Sequence, residues 1–169
     1  LSDSPPEKDV QWSDQGMVAS HKFIQKFWLL HKKIMVKIAL DDRDENAKSL
    51  VNFTNILIDK ITKNLEKFHY NVIVANFHET YNFLSKEIEK PINSFELAEN
   101  YKKILCLLQP VIPHLTLECL KEVDEKYDPK WPLANLKLIE KETFKIVIQI
   151  DGKKRGLLIT NSGSTEEEL

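Results

Sequence analysis

The sequence has few glycines and no long run of apolar residues. Of its four glycines, three (Gly152, Gly156 and Gly163) lie near the end of the 169 residues. It has no Gly-x-Gly-x-x-Gly or Gly-Lys-Ser/Thr loop, the patterns that hold nucleotide phosphates. No apolar run approaches the roughly 20 residues that cross a bilayer, and the polar first ten residues do not resemble a signal peptide. These absences exclude a phosphate-binding loop of either type, and we expect no membrane partner.

Cysteine and histidine are also sparse and follow no ligand pattern. The two cysteines, Cys106 and Cys119, lie in apolar stretches, which predicts buried free thiols in a reducing, cytoplasmic setting. A disulfide or a reactive thiol is the alternative. None of the five histidines has a second histidine or a cysteine at metal-ligand spacing, so we expect no metal site. No catalytic constellation is suggested, so we predict no catalytic residue in this chain.

Acidic residues are missing from one long segment of an otherwise balanced chain. The formal net charge is −2, yet residues 15–40 contain no Asp or Glu while five lysines fall inside them. On a helix of about 100° per residue, four of these lysines fall within roughly 60° of one another, on a stripe about 22 Å long. We call this stripe the lysine face, and its members are Lys22, Lys26, Lys33 and Lys37.

The lysine face has two interpretations. It is either a solvated surface whose charges pair with acids of a neighbouring helix, or a surface that follows a phosphate backbone. Lysines without nearby acids repel each other, and they lack the stabilisation that a helix gains from an acid and a base four residues apart. Four neutralised phosphates would make the affinity for nucleic acid fall steeply with salt. Trp12, Trp28 and Trp131 are able to stack on bases, but we expect all three to be packing anchors.

Apolar residues at helical spacing divide most of the chain into helices. On the first helix they are Phe23, Phe27, Leu30, Ile34 and Ile38. Asp44 and Ser94 are the expected N-cap residues of the second and fourth helices. The predicted helices span about 15–40, 45–67, 72–90, 95–108 and 114–125. Because the links are short, we predict a mainly α fold, an antiparallel bundle of four to five helices.

The pattern changes near the end of the chain. Residues 144–150 alternate between apolar and polar side chains, and the apolar residues resume at 157–159. Asp151-Gly152 lies between them, and this dipeptide between β-branched runs is the strongest short signal for a β-hairpin. We predict a short hairpin after the bundle, with Lys153 and Arg155 as a second basic spot near its turn. Arg155 suits phosphate better, because its guanidinium is a planar fork.

Short motifs along nearly the whole chain resemble one family when they are taken in order. They are Ser4-Pro5-Pro6-Glu7 with Asp9 and Trp12, Phe27-Trp28, Asn71 with Ala75, Leu107-Leu108-x-Pro110-x-x-Pro113-His114, Trp131-Pro132 and Gln149-Ile150-Asp151-Gly152-Lys153-x-Arg155-Gly156. In this order they resemble the region of bacterial-type, class I leucyl-tRNA synthetases that follows the catalytic domain. Two positions depart from the family pattern. Glu118-Cys119-Leu120 stands where Glu-Glu-Leu-Trp is usual, and Tyr70 stands where Phe is usual.

The resemblance implies three segments and a role. Residues 1–16 would be a strap that contacts the tRNA stem, 17–128 the anticodon-binding helical bundle, and 129–169 a connector with the truncated start of a C-terminal domain. By this resemblance, the whole synthetase would attach leucine to tRNA-Leu in an ATP-dependent, two-step reaction. Since the chain starts at Leu1 rather than Met, we expect a piece of such an enzyme. We expect this piece to be monomeric and cytoplasmic, to position tRNA and to hold no cofactor, because ATP and Mg would bind in the catalytic domain.

Two alternatives remain at this point. One is the equivalent bundle of an isoleucyl- or valyl-tRNA synthetase, which the Gly-Lys-x-Arg-Gly segment disfavours, because those enzymes end differently. The other is a helical scaffold that binds a protein partner through an exposed groove. The tentative tRNA-binding residues are the four lysines of the lysine face together with Lys153 and Arg155.

Overall fold

The described residues form five α-helices, a short 3-10 helix and two β-strands. The computed structural model describes residues 8–9, 14–43, 47–139, 143–150 and 153–161, the last two ranges as backbone only. The chain divides into two compact units, Leu1–Leu138 and Ile139–Leu169. The helices are α1 (Asp14–Ala39), α2 (Lys48–Glu66), α3 (Tyr70–Glu87), α4 (Ser94–Leu108) and α5 (Pro113–Val123); the 3-10 helix spans Leu136–Leu138, and the strands are β1 (Thr143–Ile150) and β2 (Lys153–Asn161).

Helix α4 is the centre of the first unit. It contacts α1, α2 and α5, while α3 packs on α1 and α2. Its last five residues are all apolar and buried, as expected where a helix is covered all round. They are Ile104, Leu105, Cys106, Leu107 and Leu108. The prediction of a mainly α helical bundle is therefore confirmed.

Helix α1 contributes one face to this core. Phe27, Leu30 and Ile34 are buried, and Phe23 and Ile38 are partly buried against the same cluster. These five residues recur every three to four positions, so one stripe of the helix faces inward. The stripe next to it is the lysine face, and its position beside the buried stripe directs it away from α4.

The N-cap residue of α4 differs from the prediction. Asn93, not Ser94, is the N-cap: its backbone is extended, and its Oδ1 accepts a hydrogen bond from the Glu96 N–H at 2.9 Å. Ser94 is the first helical residue, and its Oγ is used elsewhere. It accepts from the Asp42 N–H at 2.9 Å and donates to the Lys37 carbonyl at 3.0 Å. Ser94 therefore joins the beginning of α4 to the end of α1.

The two ends of α2 differ in how much of them the structure describes. Asp44, the expected N-cap residue of α2, lies outside the described residues, and α2 begins at Lys48 after Ala47. At the far end of α2, Phe68 has a positive φ of 56°. Its N–H donates to the Leu65 carbonyl at 3.1 Å, and the His69 N–H donates to the Asn64 carbonyl at 2.9 Å. This is a Schellman motif, which stops the helix and turns the chain into α3.

The segment after α5 lies against α2. The Trp131 Nε1–H donates to Thr62 Oγ1 at 3.0 Å, and the Asn135 N–H donates to Asn55 Oδ1 at 2.7 Å. Trp131 is 37% exposed, so this hydrogen bond attaches it to α2, while its role as a packing anchor stays a prediction. Trp12, for which the same role was predicted, lies outside the described residues.

The second unit contains β1 and β2, which pair antiparallel from Thr143↔Asn161 to Ile150↔Lys153. The register shifts between Ile148, which pairs with Gly156, and Gln149, which pairs with Lys154. Arg155 is therefore the extra residue of a β-bulge. The turn predicted at Asp151-Gly152 lies outside the described residues.

Candidate nucleic-acid interface

The structure places the four lysines of the lysine face on one helix, α1. Lys22, Lys26 and Lys33 are exposed, and Lys37 is half-buried. The only acidic residue of α1 is Asp14, in its first turn. The helix therefore presents a row of cations over about 22 Å, at a rise of about 1.5 Å per residue.

None of these four lysines forms an ion pair with a carboxylate among the described residues. The ion pairs there involve other basic residues, such as Lys63 with Asp59 on α2 and Lys90 with Glu87 at the end of α3. The interpretation of the lysine face as a solvated surface paired to a neighbouring helix requires such partners. The positive charge of the face is uncompensated over the described part of the chain.

Apolar side chains are interleaved with these lysines. Val18, Leu29 and Val36 are 52%, 64% and 66% exposed, and their positions fall on the side of α1 next to the lysines. Trp28 is half-buried and packs against His31, so it does not offer an open ring to a base. The surface combines unpaired cations with small aliphatic groups and suits a backbone more than unpaired bases.

Lys32, the fifth lysine of α1, is in a different situation. Its Nζ lies 2.6 Å and 2.7 Å from the two carboxylate oxygens of Glu122 on α5. The same ammonium lies 4.2 Å from the centre of the Trp28 ring. Lys32 is therefore held by a neighbouring helix, while Lys33, the next residue in the chain, has no such partner among residues 14–43 and 47–139.

Glu122 is also fixed from the core side by His31. The His31 Nε2–H donates to Glu122 Oε2 at 2.9 Å, because a carboxylate only accepts. His31 Nδ1, 3.1 Å from the Tyr101 hydroxyl, then accepts a hydrogen bond from it. We call the residues Tyr101, His31, Glu122 and Lys32 the polar relay. It connects α4, α1 and α5, from the buried Tyr101 and His31 to the partly exposed Glu122 and Lys32.

Burial sets the protonation of the polar relay. The His31 side chain is fully buried, and this burial lowers its pKa although Glu122 acts in the opposite direction. Hydrogen bonds from Lys32 and then His31 lower the pKa of Glu122. At neutral pH the relay therefore holds a neutral imidazole beside one Lys⁺–carboxylate pair.

The two cysteines lie in the hydrophobic core, Cys106 on α4 and Cys119 on α5. Both are free and buried. Burial raises the pKa of Cys119, which lies beside the Tyr101 hydroxyl, to about 12, and it also raises the pKa of Cys106. Since the thiolate is the reactive form, both thiols are unreactive at neutral pH. The prediction of buried free thiols is confirmed.

A cleft of about 590 Å³ opens at the N-terminal end of α1. It lies between α1, α3 and the link from α4 to α5. Two motifs of the sequence meet at this cleft, because Asn71 and Ala75 line one wall and Val111 and Ile112, between Pro110 and Pro113, line another. Apart from Asn71, Ser20 and His78, its lining is apolar or glycine.

The second predicted basic spot lies in the other unit. Lys153 is the first residue of β2, and Arg155 is its bulged residue. In residues 14–43 and 47–139, the structure brings no three His, Cys, Asp or Glu side chains together in a way that could hold a metal ion. No helix in the described part is long and apolar enough to cross a membrane.

Sequence reasoning missed the polar relay. Its members are distant in the chain, since His31 and Glu122 are 91 positions apart and His31 and Tyr101 are 70 apart. The available signal was the position of His31 at the edge of the apolar stripe of α1, which predicts a buried ring but names no partner.

Comparisons with known proteins match most or all of the chain. The family model described as "Anticodon-binding domain of tRNA ligase" matches residues 47–169. The leucine--tRNA ligase of Rickettsia bellii (strain RML369-C) is 31% identical over 173 residues, which cover 100% of this chain and 20% of that protein. That of Fusobacterium nucleatum subsp. nucleatum is 30% identical over 168 residues, covering 90% of this chain and 20% of that protein. The chain spans about a fifth of the length of these relatives.

A solved structure has the same fold. One chain of the crystal structure of the ternary complex of Agrobacterium radiobacter K84 agnB2 LeuRS-tRNA-LeuAMS superimposes with a TM-score of 0.71 at 22% identity. The match covers 94% of this chain and 21% of that one. At this identity the similarity is one of fold.

Proposed function

Because the chain belongs to the anticodon-binding domain family of tRNA ligases, we propose that it is the tRNA-binding part of a leucine--tRNA ligase. Leucine--tRNA ligases match it along its whole length at about 30% identity. The structurally similar LeuRS chain comes from a complex with tRNA. The proposed role is to bind and position tRNA-Leu, in the cytoplasm and as a monomer, for a reaction that takes place elsewhere in the enzyme.

The observation that carries this proposal is the uncompensated charge of the lysine face. Lys22, Lys26, Lys33 and Lys37 follow one helix, and no carboxylate among the described residues pairs with them. A row of free cations gives affinity for a phosphate backbone through release of counterions. We therefore propose contacts to the backbone of a tRNA stem rather than a pocket for single bases.

The reaction chemistry belongs to the rest of the enzyme in this proposal. The parent enzyme would activate leucine with ATP and Mg²⁺ and transfer it to the 3′ end of tRNA-Leu. The contribution of this chain is position, since a misplaced acceptor end loses rate steeply. The fragment itself would be non-catalytic.

We propose the same three segments that the resemblance implies. Residues 1–16 are a strap that contacts the stem, 17–128 the anticodon-binding bundle, and 129–169 a connector and the start of a C-terminal domain. In that last segment, β1 and β2 would form the short hairpin, with Lys153 and Arg155 touching phosphate.

A filter-binding titration with a tRNA-Leu transcript tests the role of the lysine face. With four phosphates neutralised, affinity should fall about 50- to 150-fold between about 50 and 200 mM salt. The double substitution Lys26→Glu/Lys33→Glu should weaken binding and flatten the salt dependence, with the helical circular dichroism unchanged. Non-cognate tRNA should compete nearly as well, because backbone contacts carry no sequence information.

The matched control is Lys60→Glu/Lys86→Glu, which changes the net charge equally at exposed positions of α2 and α3. This control should bind tRNA almost as well as the unchanged chain. Equal losses from the two pairs would show that net charge, not the lysine face, determines binding. Binding without salt dependence, or none at all, would favour a scaffold that docks a protein in the cleft at α1.

A further inference from the structure

Two lysines that are adjacent in sequence differ in their freedom to bind an anion. Lys32 is bound by both oxygens of Glu122, and its side chain is 47% exposed. Lys33 is exposed without a carboxylate partner in the described part of the chain. At about 100° per residue, Lys32 lies on the edge of α1 that faces α5, and Lys33 lies in the middle of the lysine face.

The Glu122 carboxylate, whose side chain is 32% exposed, is held from two sides. The His31 Nε2–H holds Oε2 from the core side at 2.9 Å, while Lys32 contacts both oxygens from the solvent side. Tyr101 in turn holds His31 through Nδ1 at 3.1 Å. Three elements of the bundle therefore fix one negative charge at the border of the lysine face.

A fixed ion pair acts on a polyanion in the opposite way to a free lysine. Lys32 and Glu122 together carry no net charge. Lys32 therefore does not neutralise a phosphate that approaches it, and no counterion is released from the nucleic acid. The phosphate also meets the Glu122 carboxylate, and two like charges at short range repel. The favourable region for a phosphate backbone ends where this pair begins.

We propose that the Lys32–Glu122 pair is the lateral boundary of the nucleic-acid-binding surface and confines the backbone to the lysine face. The inference rests on the proposed function and adds a limit to it. Glu122 is a positioning residue here, because it acts by occupying Lys32 rather than by touching RNA.

The test is the substitution Glu122→Gln, measured by filter binding of a tRNA-Leu transcript across a series of salt concentrations. Glutamine keeps an acceptor for His31 and the same length, but it no longer neutralises Lys32. The slope of log affinity against log salt should steepen by about 0.7–0.9, the contribution of one additional cation. Adding Lys32→Gln to this variant should return the slope to its original value.

The matched control is Glu118→Gln, which makes the same change in net charge at an exposed position one turn earlier on α5. It should leave the slope unchanged, because it releases no lysine. Equal slopes for Glu118→Gln and Glu122→Gln would overturn the boundary. If Glu122→Gln does not fold, Lys32→Gln alone decides: an unchanged slope supports the boundary, and a slope flatter by about 0.7–0.9 would make Lys32 a phosphate contact.

These outcomes separate the two proposals. If Lys26→Glu/Lys33→Glu changes the salt slope of the unchanged chain and Glu122→Gln does not, the proposed function is retained and the boundary is rejected. A chain that binds no tRNA at any salt concentration overturns the proposed function and the boundary together.

Discussion

The two long edges of α1 carry lysines of the same type with opposite surroundings. On the edge that faces α5, Lys32 is held by Glu122 and covers Trp28. On the other edge, Lys22, Lys26 and Lys33 have no carboxylate partner among the described residues. The first edge contacts α5, and the second is exposed.

If the lysine face binds tRNA as proposed, one helix separates stability from binding. A charge that is surrounded by partners contributes to the fold, and removing a partner leaves a buried polar group unsatisfied. A charge without partners contributes little to the fold, but it is free to meet a phosphate. Changes on the two edges should therefore affect different measurements.

The largest expected effect is at His31. The substitution His31→Ala removes a fully buried ring and leaves the Tyr101 hydroxyl and Glu122 without their shared partner. We expect the free energy of unfolding to fall by about 3 kcal/mol. Urea unfolding near neutral pH measures it. Lys33→Ala on the free edge serves as the control and should change it by less than about 0.5 kcal/mol; similar losses from the two variants would remove the distinction between the edges.

The next effect is at Ser94, where the end of α1 is joined to α4. Ser94→Ala removes the acceptor for the Asp42 N–H and the donor to the Lys37 carbonyl, at a site that is 3% exposed. We expect a loss of about 2 kcal/mol in the same unfolding measurement. Asn93→Ala, which removes only the cap of α4, should cost about 1 kcal/mol. A smaller loss at Ser94 than at Asn93 would show that the junction is not important for stability.

Acid should lower the free energy of unfolding through His31 and Glu122, which belong to the α5 edge of α1 and its partner. The lysines of the other edge should not contribute to this loss. The folded pKa of His31 lies below its ordinary value of 6.5, so the folded state binds fewer protons than the unfolded state. The stabilisation that follows from the lowered pKa of His31 is complete above pH 6.5 and is lost as the pH falls through the folded pKa. The pKa of Glu122 is also lowered, so its contribution to stability is complete above pH 4.5 and is lost below it. One group changes stability by at most about 1.4 kcal/mol for each pH unit.

Urea titrations at several pH values between about 7.5 and 4 measure this loss. The groups that face His31 are Glu122, Lys32, Tyr101 and, behind Tyr101, Cys119. His31→Gln should remove the part of the pH dependence that begins below pH 6.5. A chain that becomes more stable on mild acidification would contradict the assignment of a neutral, buried imidazole.

The smallest effect is on the free edge. Lys33 and Lys37 are four residues apart, and like charges at this spacing repel. Lys33→Glu replaces the repulsion by an attraction in the favourable orientation, with the acid on the N-terminal side. We expect the folded state to gain about 0.3–0.5 kcal/mol, visible as a small rise in the urea midpoint, while the affinity for tRNA falls. A loss of stability would indicate that Lys33 has a structural role.

The sequence predicted those features that depend on local pattern. Helical spacing identified the inward stripe of α1, of which Phe27, Leu30 and Ile34 are buried, and the helical bundle as a whole. The ordered motifs identified the resemblance to leucyl-tRNA synthetases, which the comparisons confirm. The grouping of the four lysines on one face also follows from spacing alone, although their role in binding tRNA stays a prediction.

Features that depend on distant contacts were not predictable in the same way. Both Asn93 and Ser94 have good N-cap side chains, and only the contact of Ser94 with the end of α1 decides that Asn93 takes the role. Helical spacing separates Lys32 from the lysine face but does not reveal that it is paired, because its partner Glu122 is 90 positions away. Local chemistry limits the candidates in each case, and the packing of α1 on α4 and α5 selects among them.

The burial of both cysteines has a practical consequence for labelling. These are the only two cysteines of the chain, and their thiols are protonated and covered at neutral pH. A cysteine introduced by Leu29→Cys, at a position that is 64% exposed beside the lysine face, would be the thiol that a maleimide dye reaches first. A fluorophore attached there would sense the approach of RNA, without any need to remove the native cysteines.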